Sequence, residues 1–548
     1  MIDHTTARLL AGSLATLAAC SNETAAGPGS LATCSVAAAT LESLAPGAYG
    51  STDPASDSGC VRFPANASAE NDSAEYVVIA QSVGGAPGDS APFELRSATL
   101  ATAVAPRLTA QRRALRGDRG SISRAFDRFL RGLERLPQPA RAAPATRLLG
   151  ALAPPTPGSL RAFPVCANLD CSKFDTVTAR VQSVGAHVAI YVDTLAPANG
   201  LNAADVDTLQ QLFDTHVYVV DTTAFGGVSD LDSNGLVITL MTPVVNASVT
   251  AAQCTAGGFV AGFFYPGDLD SIPGSPSNHG EIFYTVVADP NGAVSCAHSR
   301  ADVKSFLPTT LLHELQHVIS FNQHVLVRGG SPEDLWLDEA LSSLAEELGG
   351  RSFLPDSTTF FGYVSEDLFN AYAYLQNPGD HFLLQTSDTV LADFGAGWMF
   401  SRYLVDQFGD SVTRKLEQTT RTGTDNVAAQ TGLPFTATVT RWALANWVSD
   451  LPGFAPPAGL FYTSWSFRQV FASFYEQDPY DFPLPFPLVP PAGPGAQVDV
   501  AGSLHAGSGY YADILQAPGA SGFTLFLGDG TGPVSASVVP RLSVIRIR

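Results

Sequence analysis

The nine residues Leu311-Leu312-His313-Glu314-Leu315-Gln316-His317-Val318-Ile319 constrain this chain more than any other stretch. Positions i and i+4 of a helix lie one turn apart on the same face, so a helix here sets the His313 and His317 imidazoles side by side. Leu311, Leu312, Leu315, Val318 and Ile319 supply apolar surface that buries such a helix. Two imidazoles at this spacing can hold one zinc ion, and Glu314 beside the first is placed to reach a metal-bound water rather than the metal. A catalytic zinc needs three protein ligands and one open position, so a third ligand has to come from elsewhere.

A short way downstream, Trp336-Leu337-Asp338-Glu339-Ala340-Leu341-Ser342-Ser343-Leu344-Ala345-Glu346 reads as a second helix. Ser331-Pro332-Glu333-Asp334 offers it a capping-box-like start, and Gly349-Gly350 a stop. Glu339 projects from its early turns, where a carboxylate can complete the ligand set. His279, His298, His324 and His381 read as surface or packing residues, because three ligands are already supplied. Asn278 to Tyr284 reads as an apolar strand forming the edge that pairs with an extended peptide.

An HExxH followed by this Trp-Leu-Asp-Glu-Ala-Leu-Ser helix resembles the gluzincin zinc metallopeptidases, and among them the hyicolysin-like secreted bacterial metallopeptidases. The resemblance extends over residues 165–450, and its specific part is 311–347. It implies one zinc per chain, held by His313, His317 and Glu339. It also implies that Glu314 is the general base in hydrolysis of protein or peptide substrates. There are departures. Thermolysin-like enzymes carry an acidic residue four positions after the third ligand. Ser343 stands there, so a zinc histidine must be oriented by Asp338 or a backbone carbonyl. The aminopeptidase branch carries a tyrosine where Phe394 falls when Phe394-Gly395-Ala396-Gly397-Trp398 is laid on its pattern. Tyr363, Tyr372, Tyr374 and Tyr403 are the substitutes for that oxyanion donor. The Gly-x-Met-x-Asn exopeptidase signature is missing, which favours endopeptidase action. The alternative is a catalytically weak or inactive lipoprotein that keeps the peptidase fold as a binding scaffold. Phe394 supports that alternative, and the intact base Glu314 argues against it. A serine hydrolase lacks its GxSxG elbow.

The remaining residues set compartment and organisation. A net charge of −21 repels phosphate backbones, which excludes nucleic acid as a partner. Residues 1–20 read as an export signal whose end, Leu17-Ala18-Ala19-Cys20, resembles the bacterial lipobox. A lipid on Cys20 would anchor the chain to a membrane, in the periplasm or at the cell surface; an ordinary secretory signal would release it. Six cysteines remain, an even number that argues for disulfides in an oxidising compartment. Proximity favours Cys34–Cys60, Cys166–Cys171 and Cys254–Cys296.

The expected fold class is α+β. A gluzincin-like catalytic domain at 161–454, with a mixed sheet, the HExxH helix and a helical subdomain, is flanked by β-domains at 21–105 and 455–548. Strands are expected at Tyr76–Ala80, Phe93–Leu95, Val188–Val192, Leu236–Met241, Glu281–Val287, Gly522–Leu527 and Leu542–Arg548. Residues 106–160 carry an arginine-rich helix, with Arg124, Arg128, Arg131 and Arg135 among its cations, followed by a Pro-rich linker from Leu136 to Pro157. This helix reads as a connector with a solvated face, in preference to a membrane-surface helix. Asp230-Leu231-Asp232-Ser233-Asn234-Gly235 matches half of an EF-hand loop, so calcium could sit at Asp230, Asp232 and Asn234. The twelfth position is Met241, however, and a turn tied by Asx side chains is the favoured reading.

Overall fold

The computed structural model describes residues 40–55, 59–67, 72–98, 121–136, 154–386 and 390–548. The export signal, Cys20, Cys34 with its expected bond to Cys60, and most of the Pro-rich linker lie outside the described residues.

Five strands come early: β1 (Thr40–Leu41), β2 (Tyr49–Thr52), β3 (Cys60–Phe63), β4 (Ala74–Ser82) and β5 (Ser90–Ser97). Six follow in the middle: β6 (Leu160–Cys166), β7 (Phe174–Val184), β8 (Val188–Asp193), β9 (Val237–Met241), β10 (Gly262–Phe264) and β11 (Ile282–Thr285). Five close the chain: β12 (Ala492–Gly493), β13 (Asp499–His505), β14 (Gly509–Gln516), β15 (Phe523–Gly528) and β16 (Pro540–Arg546). Helices fill the space between β11 and β12, so the fold is α+β.

The middle strands form one sheet in the order β10-β11-β9-β8-β7-β6. β11, β9 and β8 run parallel, and β10, β7 and β6 are antiparallel to their neighbours. Every residue of β9 and β11 is buried, which is why these segments are unbroken apolar runs rather than alternating ones. The expected edge strand at Asn278–Tyr284 is therefore interior. β10 occupies the edge, because Gly262 to Phe264 returns antiparallel along β11. Beside β10 lies the histidine helix, Arg300–Phe321, capped by Ser299 and Asp302 and buried throughout from Leu311 to Phe321. The glutamate helix, Leu335–Arg351, packs on it.

The strands read at the two ends of the chain do not form separate β-domains. β3, β5, β13 and β15 share one sheet, and β2, β4, β14 and β16 share the other. β4 lies between β14 and β16 and is buried on both faces. Tyr76, Val78 and Ala80 point into the sandwich, while Val77 and Ile79 join the core of the helical unit. Local alternation shows that a strand exists, but it does not show which strand lies beside it.

Disulfides Cys166–Cys171 and Cys254–Cys296 are present as expected. No helix among the described residues is long and apolar enough to cross a membrane.

Candidate metal centre

The histidine and glutamate helices cross so that three side chains from different turns meet. His313 and His317 stand on one face with ring centroids 4.9 Å apart, and Glu339 is fully buried with its Oε2 3.6 Å from His313 Nε2. The spacing expected from sequence thus brings these three together. Each imidazole has a second carboxylate on its other nitrogen. Asp338 Oδ2 lies 3.1 Å from His317 Nδ1, and Glu346 Oε1 lies 2.8 Å from His313 Nδ1. Such partners fix the tautomer and aim the free nitrogen. Asp338 was one of the orienting groups anticipated; Glu346 was not. It sits two turns after Glu339 on the same face, a spacing visible in the sequence only once His313 is placed.

Glu314 adjoins His313 and points toward β10, where its Oε2 accepts the Phe264 N–H at 3.0 Å. Burial pushes its carboxyl up to about 7, with the charge of Asp127 adding to the shift and the two imidazoles opposing it. A carboxylate held near neutrality can both take and give a proton.

A fourth donor arrives from a distant segment. The arginine helix, Ser121–Glu134, does not present a solvated face. Arg124, Arg128 and Arg131 are 8%, 7% and 1% exposed, and the helix lies over the site. Asp127 Oδ2 stands 3.1 Å from His313 Nε2 and 3.6 Å from His317 Nε2. One donor atom each from Asp127, His313, His317 and Glu339 lies within 4.8 Å of the others. The connector reading fails because arginines seek carboxylates, and this chain has gathered Glu346, Glu366 and Asp334 in their path.

The donor set fits a divalent cation. His317 Nε2 and both oxygens of Glu339 are buried without a hydrogen-bond partner, and Asp127 turns its Oδ2 to the imidazoles and its Oδ1 to Arg131. Buried polar atoms are otherwise rarely left so, and unpartnered atoms of His317 and Glu339 within a group of four converging donor side chains suit an ion. Burial alone would lower the His317 pKa, yet the carboxylates of Asp338 and Asp127 hold it at about 10. His313 is likewise raised well above the ordinary histidine range, against burial and Arg124, by Asp127, Glu339 and Glu346. The carboxylates around both imidazoles thus favour positive charge at this point, which a divalent cation would also meet. Nitrogen and carboxylate donors together match zinc.

Other expectations resolve nearby. Phe394 is buried, its ring facing the guanidinium carbons of Arg124 and Arg128 at 5.1 and 5.6 Å. The tyrosines proposed in its stead are engaged elsewhere. Tyr372 and Tyr403 donate to the Leu484 and Gly459 carbonyls, Tyr374 stacks on Trp442, and Tyr363 packs on Phe353. The glutamate helix does not stop at Gly349-Gly350 but runs through Arg351. Its N-cap is Asp334 without a side-chain cap, while Glu333 instead binds the Gly423 N–H and the Asn426 amide. His324 is a packing residue, buried beside Glu333 and Glu417.

A second carboxylate group, Asp230, Asp232 and Glu281, also lies within 4.8 Å. Glu281 joins it from the turn before β11, in place of Met241. Asn234 turns inward: its amide donates to Asp232 at 2.7 Å and its oxygen accepts the Leu236 N–H at 2.6 Å, the Asx-tied turn favoured for this loop.

A curated protein, the neutral metalloprotease ShpI of Staphylococcus hyicus, is 24% identical to this chain over 260 residues. The match takes in 46% of this chain and 53% of ShpI, so the chain spans about half the length of the relative it matches. No family model matches.

Proposed function

We propose that this chain is a zinc-dependent endopeptidase, with His313, His317 and Glu339 as the metal ligands and Glu314 as the general base. The observation that carries the reading is the convergence of these three buried side chains, with His317 Nε2 and both Glu339 oxygens lacking hydrogen-bond partners, beside the Glu314 carboxylate. The likeness to a neutral metalloprotease supports a metal-dependent peptidase at the coarser level.

A zinc bound there supplies Lewis acidity toward water and toward the scissile carbonyl. The chain's own residues do the rest. Asp338 and Glu346 hold the imidazoles in register from behind. Glu314 takes a proton from the attacking water and passes it to the leaving amine nitrogen. The Phe264 N–H keeps that carboxylate oriented, and β10, the end strand of its sheet, is the strand along which an extended peptide would pair.

The test is metal content together with hydrolysis of an unfolded protein such as casein. Purified chain should hold about one zinc, and alanine at His313, His317 or Glu339 should each lower the occupancy sharply. Glu314→Gln should keep its zinc while losing about 10²–10⁴-fold in rate, the usual worth of general acid–base catalysis. Full zinc retention in the Glu339→Ala chain, or undiminished hydrolysis by Glu314→Gln, would refute the assignment.

A further inference from the structure

The arginine helix is set over the candidate centre by contacts that reach each part a peptide substrate would use. Asp127 takes the place beside His313 and His317 where the fourth donor to a metal belongs. Arg131 donates to the Phe264 carbonyl at 3.2 Å, the main-chain acceptor on the sheet edge next to Glu314. Phe126 meets Phe263 of β10 edge-on, with ring centroids 5.1 Å apart. The ends of the helix are fastened by ion pairs. Arg124 lies 3.4 Å from Glu366 and 3.7 Å from Glu346, and Arg135 just past the helix lies 3.5 Å from Asp334.

These contacts join segments from 133 to 242 residues apart, so a connector has no need of them. A connector would turn its arginines to solvent and bring no carboxylate to a pair of buried imidazoles. Arg131, 1% exposed, is paired with Glu134 and Asp127 of its own helix and reaches the Phe264 carbonyl, while Asp127, 6% exposed, turns its other oxygen to the two imidazoles. A metal needs an open position for catalysis, and Asp127 stands against both imidazole Nε2 atoms, where that position would lie.

We propose that Asp127 is a fourth protein ligand to the metal and that the arginine helix occupies the substrate cleft, so that the chain is latent until this helix is displaced. The proposal rests on the zinc endopeptidase reading and gives it a form of regulation. Because the occupant is basic and the walls it touches carry Glu346, Glu366 and Asp334, the vacated cleft favours peptides bearing arginine or lysine.

The experiment uses the full chain loaded with cobalt(II), whose visible spectrum reports the ligands directly. Asp127→Cys should gain a thiolate-to-metal charge-transfer band in the near ultraviolet that the wild type lacks, since thiolate readily ligates such ions. Acetohydroxamate should leave the wild-type spectrum unchanged and shift that of Asp127→Asn, which keeps the side chain's size but is a poor ligand. Casein hydrolysis by the zinc form should rise about a hundredfold in Asp127→Asn, the change between a one-per-cent and a fully open population. Cobalt that binds without a charge-transfer band in Asp127→Cys, or a wild-type spectrum that responds to acetohydroxamate as fully as the Asp127→Asn spectrum, overturns the latency proposal and leaves the metal reading intact. A chain that takes up no cobalt at all removes the metal reading itself.

Discussion

Asp268 sits in the short turn after β10, fully enclosed, where it accepts hydrogen bonds from the Asn278 N–H and the Tyr284 hydroxyl. Burial pushes its carboxyl up to about 7 despite these bonds and the charge of Arg161. The folded chain therefore keeps a proton that the unfolded chain releases near pH 4. The resulting stability is complete below about pH 4 and is lost as pH rises through about 7. Asp268→Asn should abolish this slope, leaving the variant more stable than wild type above pH 7 by an amount on the order of a few kcal/mol. Urea midpoints at pH 5 and pH 8 decide it; parallel shifts of wild type and variant with pH would refute the account. At this scale the sequence is legible wherever chemistry is local. His313, Glu314, His317 and Glu339 announce themselves by spacing along two helices. Asp127 does not, since its meaning depends on a contact 186 residues away. Its one signal is an acid set between the arginines of an amphipathic helix.

The helices behind the centre approach closely at glycines. A Cβ on Gly395 would stand 2.3 Å from the carbonyl of Asn370, in backbone that has no rotamer by which to yield. A Cβ on Gly362, in the partner helix Ser357–Gln376, would meet nothing within 4 Å. Alanine favours an isolated helix over glycine by about 1 kcal/mol, so propensity alone makes both substitutions stabilising. Packing predicts opposite signs. Gly362→Ala should gain up to about 1 kcal/mol, and Gly395→Ala should lose about 1–3 kcal/mol to overpacking. Thermal unfolding of the two variants checks this, and a stabilised Gly395→Ala would mean that these helices are not held at their observed distance. The same reasoning explains Gly349 and Gly350, which read as a stop but serve close packing. A Cβ on Gly349 would fall 2.2 Å from Leu312 Cδ1 on the histidine helix. Helix existence follows from periodicity, whereas the reason for a glycine lies in the neighbour it admits.

At the scale of the molecule, the sandwich is built from both ends of the chain, and the helical unit is suspended between them. Residues 499–548 supply both sheet neighbours of β4 and both of β5. Removing them should not leave an intact N-terminal portion: β4 would be bared along both edges, and soluble yield should collapse. Size-exclusion chromatography of the truncated chain tests this, and a soluble monomer with normal metal content would count against it. The sequence predicts strands at both ends because period and turn residues are local properties. Their interleaving is set by which apolar faces find each other, and that depends on the whole chain. Ser543 donates to Gln81 across 462 residues. On a ribosome, β4 emerges some 462 residues before its partner β16. Between those two moments an apolar strand must wait, at an elongation rate of about 5–20 residues per second, for roughly 20–90 seconds. Pairing of β4 therefore cannot be complete until β14 and β16 have been made, and whatever guards its two edges must act throughout that interval.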